Sequence, residues 1–354
     1  MRVLLFSLEY PPYQGGVANY YENLIKHWPN PAEIFVLHNN DHKLISRSLP
    51  FLKWLPAFFT LRQTIKKLKI EHILVGQILP LGIVAWLLNR MTGIKYSVII
   101  HGMDFAYALK VGRKKMITGK ILNQAEKIIC SNSYTAGLVS NFLGQESNSK
   151  IITINPGIDN RSIGNQQTAD KLRDQYKLNN KLVLLSVGRL VKRKGFDLVD
   201  ATLPEILKTI PDLVYVIIGN EAELKNSQFK NALVINQASN EERNAWYELC
   251  DIFIMPSREI NGDFEGFGIV YLEANLAGKP VIAGRSGGVA DAVIDNLNGL
   301  LINPEDPNEI SQAIIKLAEN PELRKKLGER GKERVLNEFN WQKQIEKIYN
   351  SVHA

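Results

Sequence analysis

Leu182-Val-Leu-Leu-Ser-Val-Gly-Arg-Leu-Val-Lys-Arg-Lys-Gly195 opens on six residues that read as a buried strand, Leu182–Val187. It turns at Gly188 and closes on Gly195, from which a helical pattern runs over Phe196–Thr209. A strand that feeds a helix through a glycine-bearing turn is half of a parallel β–α–β unit. The alternation continues toward the C-terminus. Strands are expected at Val214–Ile218, Leu233–Ile235, Ile252–Met255, Pro280–Ala283 and Leu300–Ile302, and helices at Glu241–Cys250, Phe267–Ala277 and Glu309–Ala318. Toward the N-terminus it predicts strands at Val3–Leu8, Glu33–His38, His72–Val75, Lys95–Ile100, Lys127–Cys130 and Lys150–Ile154. Helical periods lie between most of them, for example Val17–Trp28 and Tyr134–Leu143. Between the two series, Asn160–Asn180 is polar and reads as a linker.

The expected fold class is therefore α/β, with two doubly wound, Rossmann-like domains. Residues 1–160 form the first and 181–339 the second, joined by a linker and short helix over 161–180. Arg324–Val352 is a long helical stretch interrupted near Phe339–Trp341, and its last part, 340–354, is expected to pack back on the first domain. Open sheets of this kind bind ligands at the carboxyl ends of their strands, which here predicts a site in the cleft between the domains.

Composition narrows the class. With 354 residues, 45% hydrophobic and 22% charged, the chain suits two globular domains and excludes a disordered tail, a collagen or a coiled coil. Two distant cysteines, Cys130 and Cys250, build neither a zinc site nor a disulfide framework, so a reducing cytoplasm is expected. The longest apolar stretch, Ile73–Leu88, is interrupted by Gln77 and Pro80 and falls short of a membrane span. The net charge is +7, and residues 1–160 hold 18 basic against 9 acidic residues, so the basic surplus lies in the first half. A nucleic acid, an anionic membrane or a phosphorylated substrate could each answer it. No nucleic-acid-binding motif accompanies it, and none is expected as a partner.

Several short motifs sit at strand–helix junctions. After the first strand, Gly15-Gly16 leads directly into a helix, where bare backbone and unpaired N–H groups suit an anion. The fingerprint G-x-G-x-x-G is absent, which disfavours a nicotinamide dehydrogenase. Arg189 at a strand end and a lysine before Gly195 place two cations beside a helix start, a site for a diphosphate. Spacing alone does not choose between Lys192 and Lys194. Glu265-Gly-Phe-Gly-Ile-Val-Tyr-Leu-Glu273 carries two carboxylates eight residues apart. If every step were helical they would be ~12 Å apart, close to the span from a sugar ring to a ribose. Gly266, Phe267 and Gly268 would then present N–H groups to a diphosphate between them. His101 follows the fourth strand at its carboxyl edge. No carboxylate pair or His cluster has metal-ligand spacing, so no metal is expected. The absence of G-x-S-x-G and of a P-loop argues against acyl hydrolysis and P-loop ATP hydrolysis.

Taken together, Gly15-Gly16-Val17, His101-Gly102, Val187-Gly-Arg189 with Lys194-Gly195, and Glu265-Gly-Phe-Gly…Glu273 resemble the retaining glycosyltransferases of family 4, which have the GT-B fold. Asn261–Glu273 is most similar to the phosphatidylinositol-monomannoside mannosyltransferases, which use GDP-mannose. The resemblance implies that Arg189 and Lys194 hold the donor diphosphate, that Glu265 contacts the donor sugar and that Glu273 holds the ribose hydroxyls. It further implies that Gly15 and Gly16 lie against the diphosphate and that His101 is near the transferred sugar. Gly219-Asn-Glu-Ala and Ile235-Asn236 depart from the family's Gly-Asp-Gly-Pro and Leu-Gly, near the expected base pocket.

The reading that follows is a metal-independent, retaining hexosyltransferase. It needs no cofactor and takes a GDP- or UDP-sugar, with mannose from GDP-mannose as the leading choice. The acceptor is a hydroxyl of a glycan or a lipid-linked molecule. The alternatives are a UDP-sugar-dependent transferase of the same fold, a nucleotide-sugar epimerase, or a non-catalytic nucleotide-sugar-binding module. Residues 41–120 hold 14 basic and 3 acidic residues, and Arg47–Arg62 interleaves bases with aromatics, while Lys110–Lys115 adds a second basic cluster. An anionic membrane surface is thus a candidate partner for the first domain, with the protein peripheral at the inner face.

Overall fold

In a computed structural model the chain forms two compact units, Met1–Gly157 with Trp341–Ala354, and Ile158–Asn340. All residues are described except 14, 47–51, 160–164 and 354.

The first unit begins with β1 (Val3–Ser7), every residue of which is buried, as befits a strand covered on both faces. There follow α1 (Gly16–Lys26), β2 (Ile34–His38), α2 (Leu55–Leu68), β3 (His72–Val75), α3 (Leu81–Thr92), β4 (Lys95–Ile100), α4 (Met103–Leu109), α5 (Gly112–Gln124), β5 (Ile128–Cys130), α6 (Ser133–Leu143) and β6 (Ile151–Thr153). The six strands make one sheet in the order β2-β1-β3-β4-β5-β6, and all its pairs are parallel. Val3 lies opposite Ile34 on one side and His72 on the other. The chain thus reverses its direction of travel at β1, and the carboxyl ends of β1 and β3 flank a switch point.

The second unit contains α7 (Gln166–Gln175), β7 (Leu182–Val187), α8 (Phe196–Thr209), β8 (Leu213–Ile218), β9 (Ala232–Ile235), α9 (Asn240–Leu249), β10 (Ile252–Met255), α10 (Ile269–Leu276), β11 (Val281–Gly284), α11 (Val289–Ala292), β12 (Gly299–Ile302), α12 (Pro307–Ala318) and α13 (Pro321–Glu338). Its sheet is parallel in the order β12-β11-β10-β7-β8-β9. Here the reversal falls between β7 and β10, so turns some 65 residues apart in sequence leave the sheet side by side. Helix starts are chemically marked: Ser239 and Glu242 close a capping box at α9, and Asp306 and Asn320 cap α12 and α13 ahead of Pro307 and Pro321. The helix α7, expected within a linker, belongs to this unit and packs on α9, with Thr168 Oγ1 donating to Glu241 at 2.9 Å. The first residues of that expected linker, 160–164, lie outside the described ones.

The last helix, α14 (Trp341–His353), returns to the first unit. Its stripe Trp341, Ile345, Ile348 and Val352 is buried against Tyr20, Tyr21, Leu24 and Trp28. At Gly157 the close approach is explicit, since a Cβ there would stand 2.6 Å from Trp341 Cα.

The aromatic–basic stretch of the first unit divides between core and surface. Arg47–Phe51 lie outside the described residues. In α2, Ala57 and Leu61 are buried and Trp54 and Phe58 pack onto the core, leaving Phe59 60% exposed. Around α4 and α5 the apolar residues turn outward instead: Tyr107, Val111 and Met116 are 53%, 50% and 61% exposed. Lys110, Arg113, Lys114, Lys115 and Lys120 stand exposed among them, and no acidic residue occurs between Asp104 and Glu126.

Candidate functional site

The centre of the second unit's site is Glu265, on the long loop between β10 and α10. It is 8% exposed, and Lys194, on the 3₁₀ turn after β7, is equally buried. Glu265 Oε2 accepts from Arg193 Nη1 at 2.6 Å and Lys194 Nζ at 3.2 Å, with Ser257 Oγ at 3.5 Å. Burial alone would raise the Glu265 pKa, but the Lys194 and Arg193 charges overcome it and hold the carboxyl at about 2. Arg193 also reaches Asp263 through Nε at 3.3 Å. Among the described residues, no side chain donates to Glu265 Oε1.

Close backbone contacts fix the two loops. A Cβ at Gly195 would stand 2.3 Å from the Pro256 carbonyl oxygen, and one at Gly287 the same distance from that of Glu265. Arg258 N donates to the Arg193 carbonyl at 2.7 Å, and its guanidinium pairs with Asp197 at 2.8 Å. Lys194 has room because Gly188 carries no side chain: a Cβ there would lie 3.0 Å from Lys194 Cδ and Cε. This packing selects Lys194, which is buried, over Lys192, which is exposed.

The helix α10 starts at Ile269, two residues later than expected, because Gly268 takes a left-handed φ of 81° as its N-cap. A Cβ at Gly268 would stand 2.4 Å from the Tyr271 ring. Residues 265–268 are therefore loop, and the all-helical separation of Glu265 and Glu273 does not hold. Phe267 turns its side chain into the core against Phe339, ring centroids 5.8 Å apart, leaving only its backbone for a ligand. Gly266 lies between the two, half-buried.

Glu273 sits in α10, away from this ion-pair cluster. Tyr247 Oη donates to its Oε2 at 2.7 Å, and Arg243 Nη2 approaches Oε1 at 4.0 Å. Burial and the adjacent Glu273 carboxylate push the Tyr247 hydroxyl pKa well up, so it stays protonated as a donor. Arg189 is exposed, and its side chain makes no hydrogen bond or ion pair among the described residues. Arg193, Ser257, Tyr247 and Arg243 were not legible as site residues. Arg193 was visible only as one of three consecutive cations.

In the first unit His101, just past β4, packs edge-on to Tyr20 and Tyr21. Tyr21 Oη donates to the Gly76 carbonyl at 2.5 Å, so its oxygen is left to accept from His101 Nε2 at 3.0 Å. Burial pushes the His101 pKa down to about 4, which keeps the ring neutral and, with Nε2 protonated, Nδ1 an acceptor. Asp104 Oδ1 accepts from the backbone N–H groups of His101 and Gly102 at 3.1 and 3.0 Å. Burial raises the Asp104 pKa to about 6. Gly15 caps α1 in extended conformation, and a Cβ at Gly16 would meet nothing within 4 Å, so neither glycine is demanded by a left-handed turn. A Cβ at Gly15 would, however, lie 4.0 Å from Glu9 Oε2, which puts a carboxylate next to the expected anion site. Among the described residues no group of three or more His, Cys, Asp or Glu side chains is placed to hold a metal ion.

A cation-lined carboxylate at the switch point of a parallel sheet is what a sugar-diphosphate site requires, and the comparisons agree with it. Residues 168–334 match the family Glycosyl transferases group 1. These residues form a group 1 glycosyltransferase domain. Over nearly its whole length the chain is 29% identical to an uncharacterized glycosyltransferase of Methanocaldococcus jannaschii, covering 99% of each chain. It is 25% identical to the GDP-mannose-dependent alpha-(1-6)-phosphatidylinositol monomannoside mannosyltransferase of Mycolicibacterium smegmatis, over 96% of this chain and 95% of that one. The fold matches Anabaena HepE in complex with UDP at a TM-score of 0.84, with 17% identity and full coverage of both chains. It also matches sucrose-phosphate synthase from Thermosynechococcus elongatus at 0.80, with 20% identity, over 100% of this chain and 98% of that one. The glycosyltransferase thus has the GT-B fold, and Lys194, Glu265 and Glu273 all lie in its group 1 domain.

Proposed function

We propose that this glycosyltransferase is a retaining hexosyltransferase that moves mannose from GDP-mannose to a hydroxyl of a glycan or lipid-linked acceptor. The carrying observation is the buried Arg193–Lys194–Glu265 cluster, which offers a cation for a diphosphate beside a carboxylate oxygen with no side-chain donor. The mannose assignment rests on the printed activity of the mycobacterial relative. Lys194, Arg189 and the backbone N–H groups of residues 266–268 neutralise charge as the sugar–phosphate bond breaks, the large electrostatic part of such catalysis. No general acid is then needed, and no metal is called for. The acceptor hydroxyl attacks from the face that the phosphate leaves, which retains configuration, and its proton passes to the departing phosphate. Glu265 Oε1 holds a sugar hydroxyl, Glu273 the ribose, and neutral His101 accepts from a hydroxyl near the reacting sugar. The acceptor belongs to the first unit, whose exposed α4–α5 face would rest on anionic lipid.

The deciding experiment is a thermal-shift panel of GDP, UDP, ADP and their sugars, followed by mass analysis of donor with lipid or glycan acceptor. A ligand at 100 times its dissociation constant adds roughly 2.7 kcal/mol of stability. GDP and GDP-mannose should give the largest shifts. A preference for UDP and its sugars would replace the donor, and no shift with any nucleotide would sink the reading.

A further inference from the structure

Two cations share one buried carboxylate oxygen in the second unit. Arg193 Nη1 lies 2.6 Å and Lys194 Nζ 3.2 Å from Glu265 Oε2. A single buried carboxylate needs one counter-charge, so the cluster holds a surplus cation. The two cations are not held alike. Arg193 is tied at two points, to Glu265 and through Nε to Asp263 at 3.3 Å, and its own carbonyl accepts from Arg258 N. Lys194 has three donors on a flexible stem, and apart from Glu265 it meets only Met255 Sδ, a weak acceptor, at 3.2 Å.

Resting on the reading of this cluster as a donor site, we propose that Arg193 is a positioning residue: the standing counter-ion of Glu265, which frees Lys194 to carry its charge to the donor diphosphate. Were Lys194 the sole partner, moving it onto phosphate would strand a buried carboxylate, which is costly. With Arg193 in place Glu265 stays neutralised and fixed, with Oε1 open, whether or not Lys194 remains. Arg193 therefore supports diphosphate binding without touching the phosphates.

Calorimetric titration with GDP and with UDP tests this on the wild type, Arg193→Gln, Arg193→Lys, Glu265→Gln and the double variant Arg193→Gln/Glu265→Gln. Arg193→Gln should weaken the nucleotide that the wild type binds by at least about tenfold, because Lys194 is then held by Glu265. Removing the Glu265 charge as well should restore affinity to within about threefold of wild type, and Arg193→Lys should stay within the same range. Glu265→Gln alone should bind at least as tightly as wild type. If the double variant stays as weak as Arg193→Gln, Arg193 itself contacts phosphate and the proposal falls. Unchanged affinity in Arg193→Gln overturns it too. Should Arg193→Gln fail to fold, Glu265→Gln and Arg193→Lys decide, and a loss in either overturns it. A wild type that binds neither nucleotide removes the donor-site reading itself, a result distinct from all the others.

Discussion

Lys194 and Glu265 show how one residue can matter to chemistry more than to folding. Because Arg193 continues to neutralise Glu265, Lys194→Ala should leave thermal unfolding close to wild type while lowering turnover on the order of 10²–10³-fold. Arg189, exposed at its strand end, should behave in the same way when replaced by alanine. Steady-state kinetics beside melting curves check both, and near-normal turnover would remove either residue from the mechanism. Glu273 acts differently, since ribose contacts hold ground state and transition state alike. Glu273→Ala, and more mildly Tyr247→Phe, should raise the donor KM with a smaller change in kcat. An unchanged KM in Glu273→Ala would contradict that role. Lys194, Glu265 and Glu273 were legible because each sits in a motif at a strand–helix junction. Arg193 was not, because nothing in three adjacent cations says which one turns inward.

Among the elements, α14 carries the clearest test. It follows the second unit in sequence yet buries Ile345 and Ile348 completely in the core of the first. Ile348→Ala should destabilise by roughly 2–5 kcal/mol, the cost of a large-to-small change in a packed core. The check is chemical unfolding followed by the fluorescence of Trp28 and Trp341, both in that core. A cost below about 0.5 kcal/mol, the range of an ordinary surface substitution, would mean that α14 is not docked there in solution. The periodicity of this helix was plain in the sequence. The late start of α10 was not, because the apolar pattern runs on through Phe267, and only the approach of Tyr271 to Gly268 requires the left-handed cap.

At the scale of the whole molecule the charge asymmetry matters most. No helix among the described residues is long and apolar enough to cross a membrane, so any lipid contact would be made from the surface. The first unit gathers the basic surplus, and its α4–α5 face adds exposed Tyr107, Val111 and Met116 to a run without acids. Basic residues near an anionic bilayer contribute ~1 kcal/mol each, and the attraction weakens with salt. Co-sedimentation should show binding to anionic liposomes at low salt, less at high salt, and little to neutral ones. Replacing Lys110, Arg113, Lys114 and Lys115 by glutamine should abolish it, and no binding at low salt would end the membrane reading.

Strand positions, helix periods and the glycine-marked junctions followed from the sequence alone, because each depends on neighbours within about ten residues. Those local patterns were enough for the α/β class, and the family motifs for the expectation of a sugar-transferring activity. What only the tertiary structure decided is which distant turns share a site. Strand order places β7 beside β10, so Lys194 and Arg193 meet a carboxylate that is some 70 residues away in sequence. The same packing chose Lys194 over Lys192 and sent Phe267 and Phe58 inward. It left Tyr107 and Met116 outside. Burial is set by what lies across the sheet, and no local spacing carries that information.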